Sequence, residues 1–319
     1  MKNTITKNYF EVIRPGINST FQDLGRKHLY HIGIPFSGAM DKRNFILANR
    51  IAGNNENAPV IEFAYQGPKL KFKGQKINFT ITGNVSFKLI KKEKEIYGNC
   101  YQNYTLEEGD QLDILSTNKS VYGYFAISGN FDVKFQWGSC STNTKANIGA
   151  NDGKKIEKDQ LIKVSNTHSH DSKKNLQYMN SKIENIRVIK GTNFNYFAEE
   201  SKKIFFEKEF EVTKLTDRMG MRLVGPNIKN IVDTNIKSEG IIKGVIQIPA
   251  DGNPIIMLSD HGTIGGYPKI GVVISSDYDK LVQIPAGSKI KFKEIELLDA
   301  EMLFKLYEME TENLISKIK

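Results

Sequence analysis

The side chains best suited to chemistry crowd into one loop, Ser259 to Pro268, where Asp260, His261, Thr263 and Tyr267 alternate with Gly262, Gly265 and Gly266. A carboxylate beside an imidazole can exchange a proton near neutral pH, and glycines let backbone amides approach a ligand closely. The stretch before the loop delivers it. Val245–Ile248 and Ile255–Leu258 are short runs of β-branched residues separated by Pro249, Asp251, Gly252, Asn253 and Pro254, which predicts a hairpin. An ordinary glycine-rich connection would share much of this composition, so the surroundings of the loop have to decide.

Two further clusters carry charge and donors. In Phe21 to Asp41, Arg26 could clamp a carboxylate through paired hydrogen bonds, and Ser37 with the Gly38 amide could bind an anion or carbonyl ahead of a helix. The plainer alternatives are an Asp23–Arg26 ion pair across a turn and a helix-capping Ser37. In D-R-M-G-M-R, Asp217 could orient Arg218 or Arg222 toward a ligand beside Asp260, or these charges could simply pin structure together. His28, His31, His168 and His170 lack acidic or cysteine neighbours at ligand spacing, so no metal is expected. Cys100 and Cys140 form no C-x-x-C pair and are expected to be reduced thiols. There is no G-x-x-x-x-G-K-[ST] phosphate loop, no G-x-G-x-x-G before a helix, and no Met-Lys-Met segment on which biotin could be carried.

The elements that must hold these residues are mostly short strands. Lys69–Phe72, Ile77–Thr82, Phe87–Ile90, Gln111–Leu115, Tyr122–Ile127 and Leu161–Val164 read as strands in the first half, and Ile186–Ile189 and Lys289–Phe292 in the second. Helices are expected over Lys42–Ala52, capped by Asp41 and Gly53, around Asn193–Ser201, and from Asp299 to the end with an apolar face. Residues 166–185 are polar and without period. They predict a linker between a half at 1–165 and a half at 186–319. Phe21-Gln22-Asp23-Leu24-Gly25-Arg26 is loosely echoed by Leu215-Thr216-Asp217-Arg218-Met219-Gly220, which suggests related halves.

With 319 residues, 39% hydrophobic and 25% charged, the chain can build two cores. No stretch is long and apolar enough for a membrane span or leader, so a cytoplasmic protein without membrane contact is expected. The net charge of +9 comes from scattered lysines with no recognition motif, and no nucleic-acid partner is expected.

Gln247, Pro249, Asp251, Gly252, Pro254, Ile255, Asp260, Thr263, Gly265, Gly266, Tyr267 and Pro268 resemble the G-x-I-Q-x-P-x-D-G-x-P-I and D-x-Q-T-T-G-G-Y-P segments of the biotin-dependent carboxyltransferase-like proteins. This family, also called allophanate hydrolase subunit 2-like, includes the C subunit of 5-oxoprolinase and the Kip antagonist proteins. Gln22, Asp23, Gly25, Arg26 and Gly33 to Asp41 are similar to its Q-D-x-G-R and G-x-P-x-S-G-A-M-D patterns, and the segments at Glu62, at Gly138 to Thr142 and at Asp217 to Gly225 follow it as well. The chain departs at Cys140, Gly262 and Ile264, where the family usually has arginine, glutamine and threonine.

The resemblance implies a mainly β fold of two cyclophilin-like β-barrel halves with a few short helices and a C-terminal helix. It also implies a subunit of a bacterial ATP-dependent 5-oxoprolinase, opening the 5-oxoproline lactam to glutamate. Such a subunit is expected to be inactive alone and to work in a hetero-oligomer with a separately encoded allophanate hydrolase subunit 1-like (Kip inhibitor-like) protein and a protein like the A subunit of 5-oxoprolinase. ATP would bind through the complex, with no covalent biotin on this chain. The alternatives are a carboxyltransferase module of the urea carboxylase/allophanate hydrolase type and a non-catalytic Kip antagonist-like regulator of a sensor kinase inhibitor. The implied catalytic residues are Asp260, His261 and Arg218. Asp23, Arg26, Ser37, Gly38, Asp41, Asp217, Arg222, Gln247, Thr263, Gly265, Gly266 and Tyr267 would bind a small carboxylated lactam, in a pocket walled by both halves where Ser37 faces Tyr267.

Overall fold

Alternation of lysine with large apolar residues shapes the first strands. In Lys69–Lys73 the lysines point outward, while Leu70 and Phe72 face a core. The computed structural model describes residues 8–169, 172–178 and 185–318. It divides into two compact units, Met1–Arg26 with Lys42–Asn180 and Glu312–Lys319, and Lys27–Asp41 with Ser181–Thr311.

In the first unit a seven-stranded sheet carries Asn130–Phe131, Leu161–Ser165, Tyr9–Arg14, Lys69–Lys73, Gln111–Thr117, Val85–Lys91 and Lys94–Gly98 in spatial order. A five-stranded sheet carries Thr20–Gln22, Val60–Ala64, Tyr122–Ile127, Ile77–Thr82 and Asn103–Leu106. Their facing residues share one core, including Phe10, Phe72, Phe87 and Leu112 from the first sheet and Phe63, Phe79, Ile81 and Phe125 from the second. Phe10 and Phe125 meet edge to face across it, with centroids 5.6 Å apart. Tyr122–Ile127 is buried along its whole length because helix α1 (Lys42–Ala52) packs on it and on Ile77–Thr82. Gly53 ends α1 with φ 82°, a left-handed conformation that suits glycine.

Part of the expected linker is built into this unit. The Leu176 amide donates to the Tyr101 carbonyl at 2.8 Å, and the Asn103 amide to the Lys174 carbonyl at 3.0 Å. Leu176 is buried with Leu47, Ile51 and Tyr101. Two apolar side chains, Leu176 and Tyr178, thus anchor a segment whose composition reads as solvated. His170 lies outside the described residues.

The second unit is a closed barrel of Asn185–Lys190, Lys269–Val273, Val245–Gln247, Ile255–Met257, Gly220–Val224, Glu209–Val212 and Lys289–Glu294. Closure comes from parallel pairing of the first and last of these, with Ile186 opposite Phe292. A barrel leaves no open edge. The hairpin expected from the sequence is present, with Ile246 opposite Ile256. The helix expected at Asn193–Ser201 is instead a 3-10 turn at Phe194–Tyr196 followed by α2 (Glu199–Glu207), whose Phe205 stacks on Phe292 at 4.5 Å. Helix α3 (Ser275–Val282) was concealed by the β-branched run Val272-Val273-Ile274 before it. Its Asp277 is fully buried and accepts hydrogen bonds from the Arg187 guanidinium and backbone amide. Helix α4 (Leu297–Ser316) buries Ala300, Tyr307 and Thr311. Met302, Leu306 and Met309 are exposed because they lie on the opposite side of the helix. No helix among the described residues is long and apolar enough to cross a membrane.

Candidate active site

Backbone pairing explains why Arg218 and Asp260 meet. Strand Gly220–Val224 pairs with Ile255–Met257, with Gly220 opposite Met257. The pairing runs on past both strands: the Leu258 amide donates to the Met219 carbonyl at 3.0 Å and the Asp260 amide to the Arg218 carbonyl at 2.9 Å. Asp217 fixes the turn on the other side, its Oδ1 accepting from the Met219 amide at 2.8 Å and the Gly220 amide at 3.2 Å. Asp217 therefore orients Arg218 through the backbone rather than by pairing with its guanidinium.

The guanidinium itself grips Asp260 with two hydrogen bonds, Nε to Oδ2 at 2.8 Å and Nη2 to Oδ1 at 3.0 Å. Both side chains are nearly covered, 12% exposed for Arg218 and 4% for Asp260. Nη2 also donates to the Gly38 carbonyl at 2.7 Å. Residues 27–41 belong to this same unit, so the Ser37-Gly38 turn, Arg218 and the Asp260 loop are gathered on one barrel. Ser37 has φ 56° and Gly38 φ 87°. Glycine tolerates that region freely, whereas for serine it costs about 1 kcal/mol or more. Two successive left-handed residues turn the chain sharply, and the Gly38 carbonyl meets Arg218 at this turn. Asp41 closes the segment by accepting from Gln283 Nε2 at 2.9 Å.

His261 is 1% exposed. Its Nδ1 lies 2.6 Å from the Gly262 carbonyl and its Nε2 2.8 Å from the Tyr30 hydroxyl, which also donates to the Ile241 carbonyl at 2.8 Å. Burial pushes the imidazole pKa below its ordinary value, partly opposed by the Gly262 hydrogen bond; nearby Lys243 lowers it further and Asp260 raises it. Burial also raises the Tyr30 phenol to about 12. Both ring nitrogens of His261 are thus engaged inside the protein, which suits positioning better than direct contact with substrate.

The rest of the loop forms a two-stranded ribbon, Ile264–Gly265 paired with Glu239–Gly240. Gln247 lies under it and donates from Nε2 to the Tyr267 carbonyl at 3.4 Å. A Cβ on Gly265 would come within 2.6 Å of both Gln247 Nε2 and Ile241 Cδ1, so only glycine lets the ribbon lie this close. Gly262 differs. Its φ is not left-handed, and a Cβ there would meet only the Ile264 carbonyl at 3.7 Å. Thr263 packs near Gly33, Gly266 continues the ribbon by accepting from the Ile236 amide at 2.9 Å, and Tyr267 is partly exposed.

Three of the expected residues are held differently. Arg222 sits on an outward position of its strand, where inward and outward side chains alternate. Asp23 and Arg26 belong to the first unit. The Asp23 carboxylate is fully buried and accepts from the Ser139 and Ser141 hydroxyls at 2.6 and 2.5 Å and from the Gly25 and Cys140 amides, both at 2.8 Å. Arg26 Nη2 donates to the Ser141 carbonyl at 2.6 Å. These groups form a polar knot beneath the surface. Cys140 is buried in it, and burial, with the Asp23 charge, raises its thiol pKa far above the ordinary range. Residues that carried no sequence signal include Tyr30, Gln283 and Lys269, the last buried and paired with Glu239 at 2.8 Å. Among the described residues no His/Cys/Asp/Glu group is arranged to hold a metal ion.

A family model for the carboxyltransferase domain, subdomain A and B, matches residues 32–294, which include the 32–41 turn, Arg218 and the whole Asp260 loop. The chain belongs to this family. It is 32% identical over 285 residues to the C subunit of 5-oxoprolinase from Haemophilus influenzae, covering 89% of this chain and 91% of that protein. With the corresponding 5-oxoprolinase C subunit of Escherichia coli it shares 29% identity over 297 residues, 91% and 92% of the respective lengths. The crystal structure of Kluyveromyces lactis urea carboxylase superposes with a TM-score of 0.86 at 27% identity over 98% of this chain. The carboxyltransferase fold here spans 30% of that much longer protein. The mainly β architecture expected from the sequence is therefore the family's own.

Proposed function

We propose that this carboxyltransferase-family chain is a subunit of an ATP-dependent 5-oxoprolinase, acting with separately encoded partners to open the 5-oxoproline lactam to glutamate. The observation that carries this reading is the near full-length match to the C subunit of 5-oxoprolinase, with 91% of that protein covered. Lactam opening needs a polarised carbonyl and a general base for water. The Asp260 loop offers a carboxylate held by Arg218 beside glycine-rich backbone, and the Ser37-Gly38 turn adds backbone and hydroxyl groups in the same unit. In this reading Asp260 moves the proton, Arg218 sets its geometry, and Thr263, Gly265, Gly266 and Tyr267 bound the substrate. ATP enters through the complex, and the partners are the allophanate hydrolase subunit 1-like protein and the protein like the 5-oxoprolinase A subunit. The test is glutamate release from 5-oxoproline by the chain mixed with those partners and ATP. Release that avidin does not inhibit supports the reading, and no release from an assembled complex refutes it.

The urea carboxylase superposition favours a second reading, in which the same site passes a carboxyl group from biotin on a carrier protein to an amide. Avidin-sensitive carboxylation of urea, with no glutamate release, would select it.

A further inference from the structure

We propose that Tyr30 is a positioning residue, whose hydroxyl ties His261 to the Ile241 carbonyl and thereby holds both arms of the ribbon that carries the Asp260 loop. The inference rests on the reading of that loop as the active site, but its geometry stands alone. Tyr30 opens a 3-10 turn, Tyr30–Ile32, closed by Gly33 at φ 82°. Its ring packs on Phe36 with centroids 4.8 Å apart and meets the His261 ring at 5.9 Å. The aim of the hydroxyl is thus set by packing on one side and by two polar partners on the other.

Those partners lie on different arms. Ile241 follows the Glu239–Gly240 strand and donates its amide to the Thr263 carbonyl at 3.0 Å, while His261 precedes the Ile264–Gly265 strand. One hydroxyl therefore spans the ribbon where it joins the barrel. Proton counting shows how the tie works. The Gly262 carbonyl only accepts, so the 2.6 Å contact requires a proton on Nδ1 of His261. In the neutral imidazole Nε2 is then an acceptor, and the single Tyr30 proton faces two acceptors, Nε2 and the Ile241 carbonyl, both at 2.8 Å. The hydroxyl also lies 3.3 Å from Nδ1, so it sits beside the imidazole face rather than in line with an Nε2–H, and its proton goes to the Ile241 carbonyl. Burial and Lys243 oppose a second proton on the imidazole, and the Gly262 carbonyl and Asp260 favour it. Arg218 from the neighbouring turn is already committed to Asp260.

Replacing Tyr30 by Phe keeps the ring and removes the relay. The buried imidazole then loses the polar oxygen beside it and the Ile241 carbonyl loses its donor. In protein labelled with 13C-histidine, with the His261 signal assigned through His261→Gln, the Tyr30→Phe titration midpoint should move to lower pH than that of the unaltered chain. Amides of residues 260–265 should exchange hydrogen about fivefold to tenfold faster, as expected for one lost hydrogen bond. Phe36→Leu, which loosens the stacking but retains the hydroxyl, should move the midpoint less than Tyr30→Phe does. In the assembled enzyme Tyr30→Phe should lower kcat and shift the acid limb of its pH profile to lower pH, with KM little changed. An unmoved midpoint with unchanged loop exchange overturns the proposal. The NMR and exchange readouts need no turnover, so their success beside absent glutamate release would refute the functional reading alone.

Discussion

Arg218→Met is the most informative single perturbation of the site. It strips both hydrogen bonds, 2.8 and 3.0 Å, from a carboxylate that is only 4% exposed, and releases the Gly38 carbonyl from its 2.7 Å contact. Removing one partner of a buried pair leaves an uncompensated charge and typically costs about 3–5 kcal/mol, several times the worth of an exposed ion pair. For a unit of this size each kcal/mol lowers Tm by roughly 2–4 °C, so a fall of about 6–20 °C is expected. Asp260→Asn should cost less, because Arg218 keeps its Gly38 contact and is the more exposed partner. Combining Arg218→Met with Asp260→Leu removes both charges and should recover much of the single-variant loss, giving a coupling energy of about 2 kcal/mol or more. Urea denaturation of the unaltered chain, Arg218→Met, Asp260→Leu and the double variant measures the cycle. A cost below about 1 kcal/mol for Arg218→Met, or additive single variants, would mean the pair behaves as a solvated surface contact and would remove the argument that Arg218 fixes Asp260.

Three other expectations follow from the same geometry. His261 has a depressed pKa in the folded chain relative to its ordinary value of 6.5, so its contribution to stability is present above that value and is lost as pH falls toward the folded pKa; His261→Gln should flatten this part of the stability profile. Gly265→Ala places a Cβ 2.6 Å from Gln247 and Ile241 and should destabilise the unit by about 1–3 kcal/mol, while Gly262→Gln, in open space, should change stability by less than about 0.5 kcal/mol in thermal unfolding. Burial raises the Cys100 thiol to about 11 and Cys140 further still, so a thiol reagent near neutral pH should label the native chain slowly and both cysteines promptly in denaturant.

Much of the architecture was legible because its strands follow simple periodicity. Ile77–Thr82 and Tyr122–Ile127 have the boundaries their apolar runs suggest, and Lys42–Ala52 lies between a capping-type residue and a left-handed glycine. The positions of α2 and α3 were not legible, since β-branched residues before Ser275 hide the change of period and the Phe194–Tyr196 turn takes the place of a helix start. Within the site, the pairing of Asp260 with Arg218 could be anticipated from residue type and motif. The Tyr30–His261 contact could not, because it joins residues 231 positions apart and Tyr30 lies among residues with no pattern of their own. The same limit applies to Asp23. Its type suggested ligand binding, and only the fold shows that Ser139, Ser141 and two amides already occupy the carboxylate.

The decisive measurement is ATP-dependent glutamate release from 5-oxoproline by the chain assembled with its two proposed partner subunits, comparing the unaltered protein with Asp260→Asn. Avidin-insensitive release by the former, and its loss in an Asp260→Asn complex that still assembles and melts cooperatively, is the predicted result. Undiminished release by Asp260→Asn, or biotin-dependent carboxylation of urea in place of glutamate formation, would contradict it.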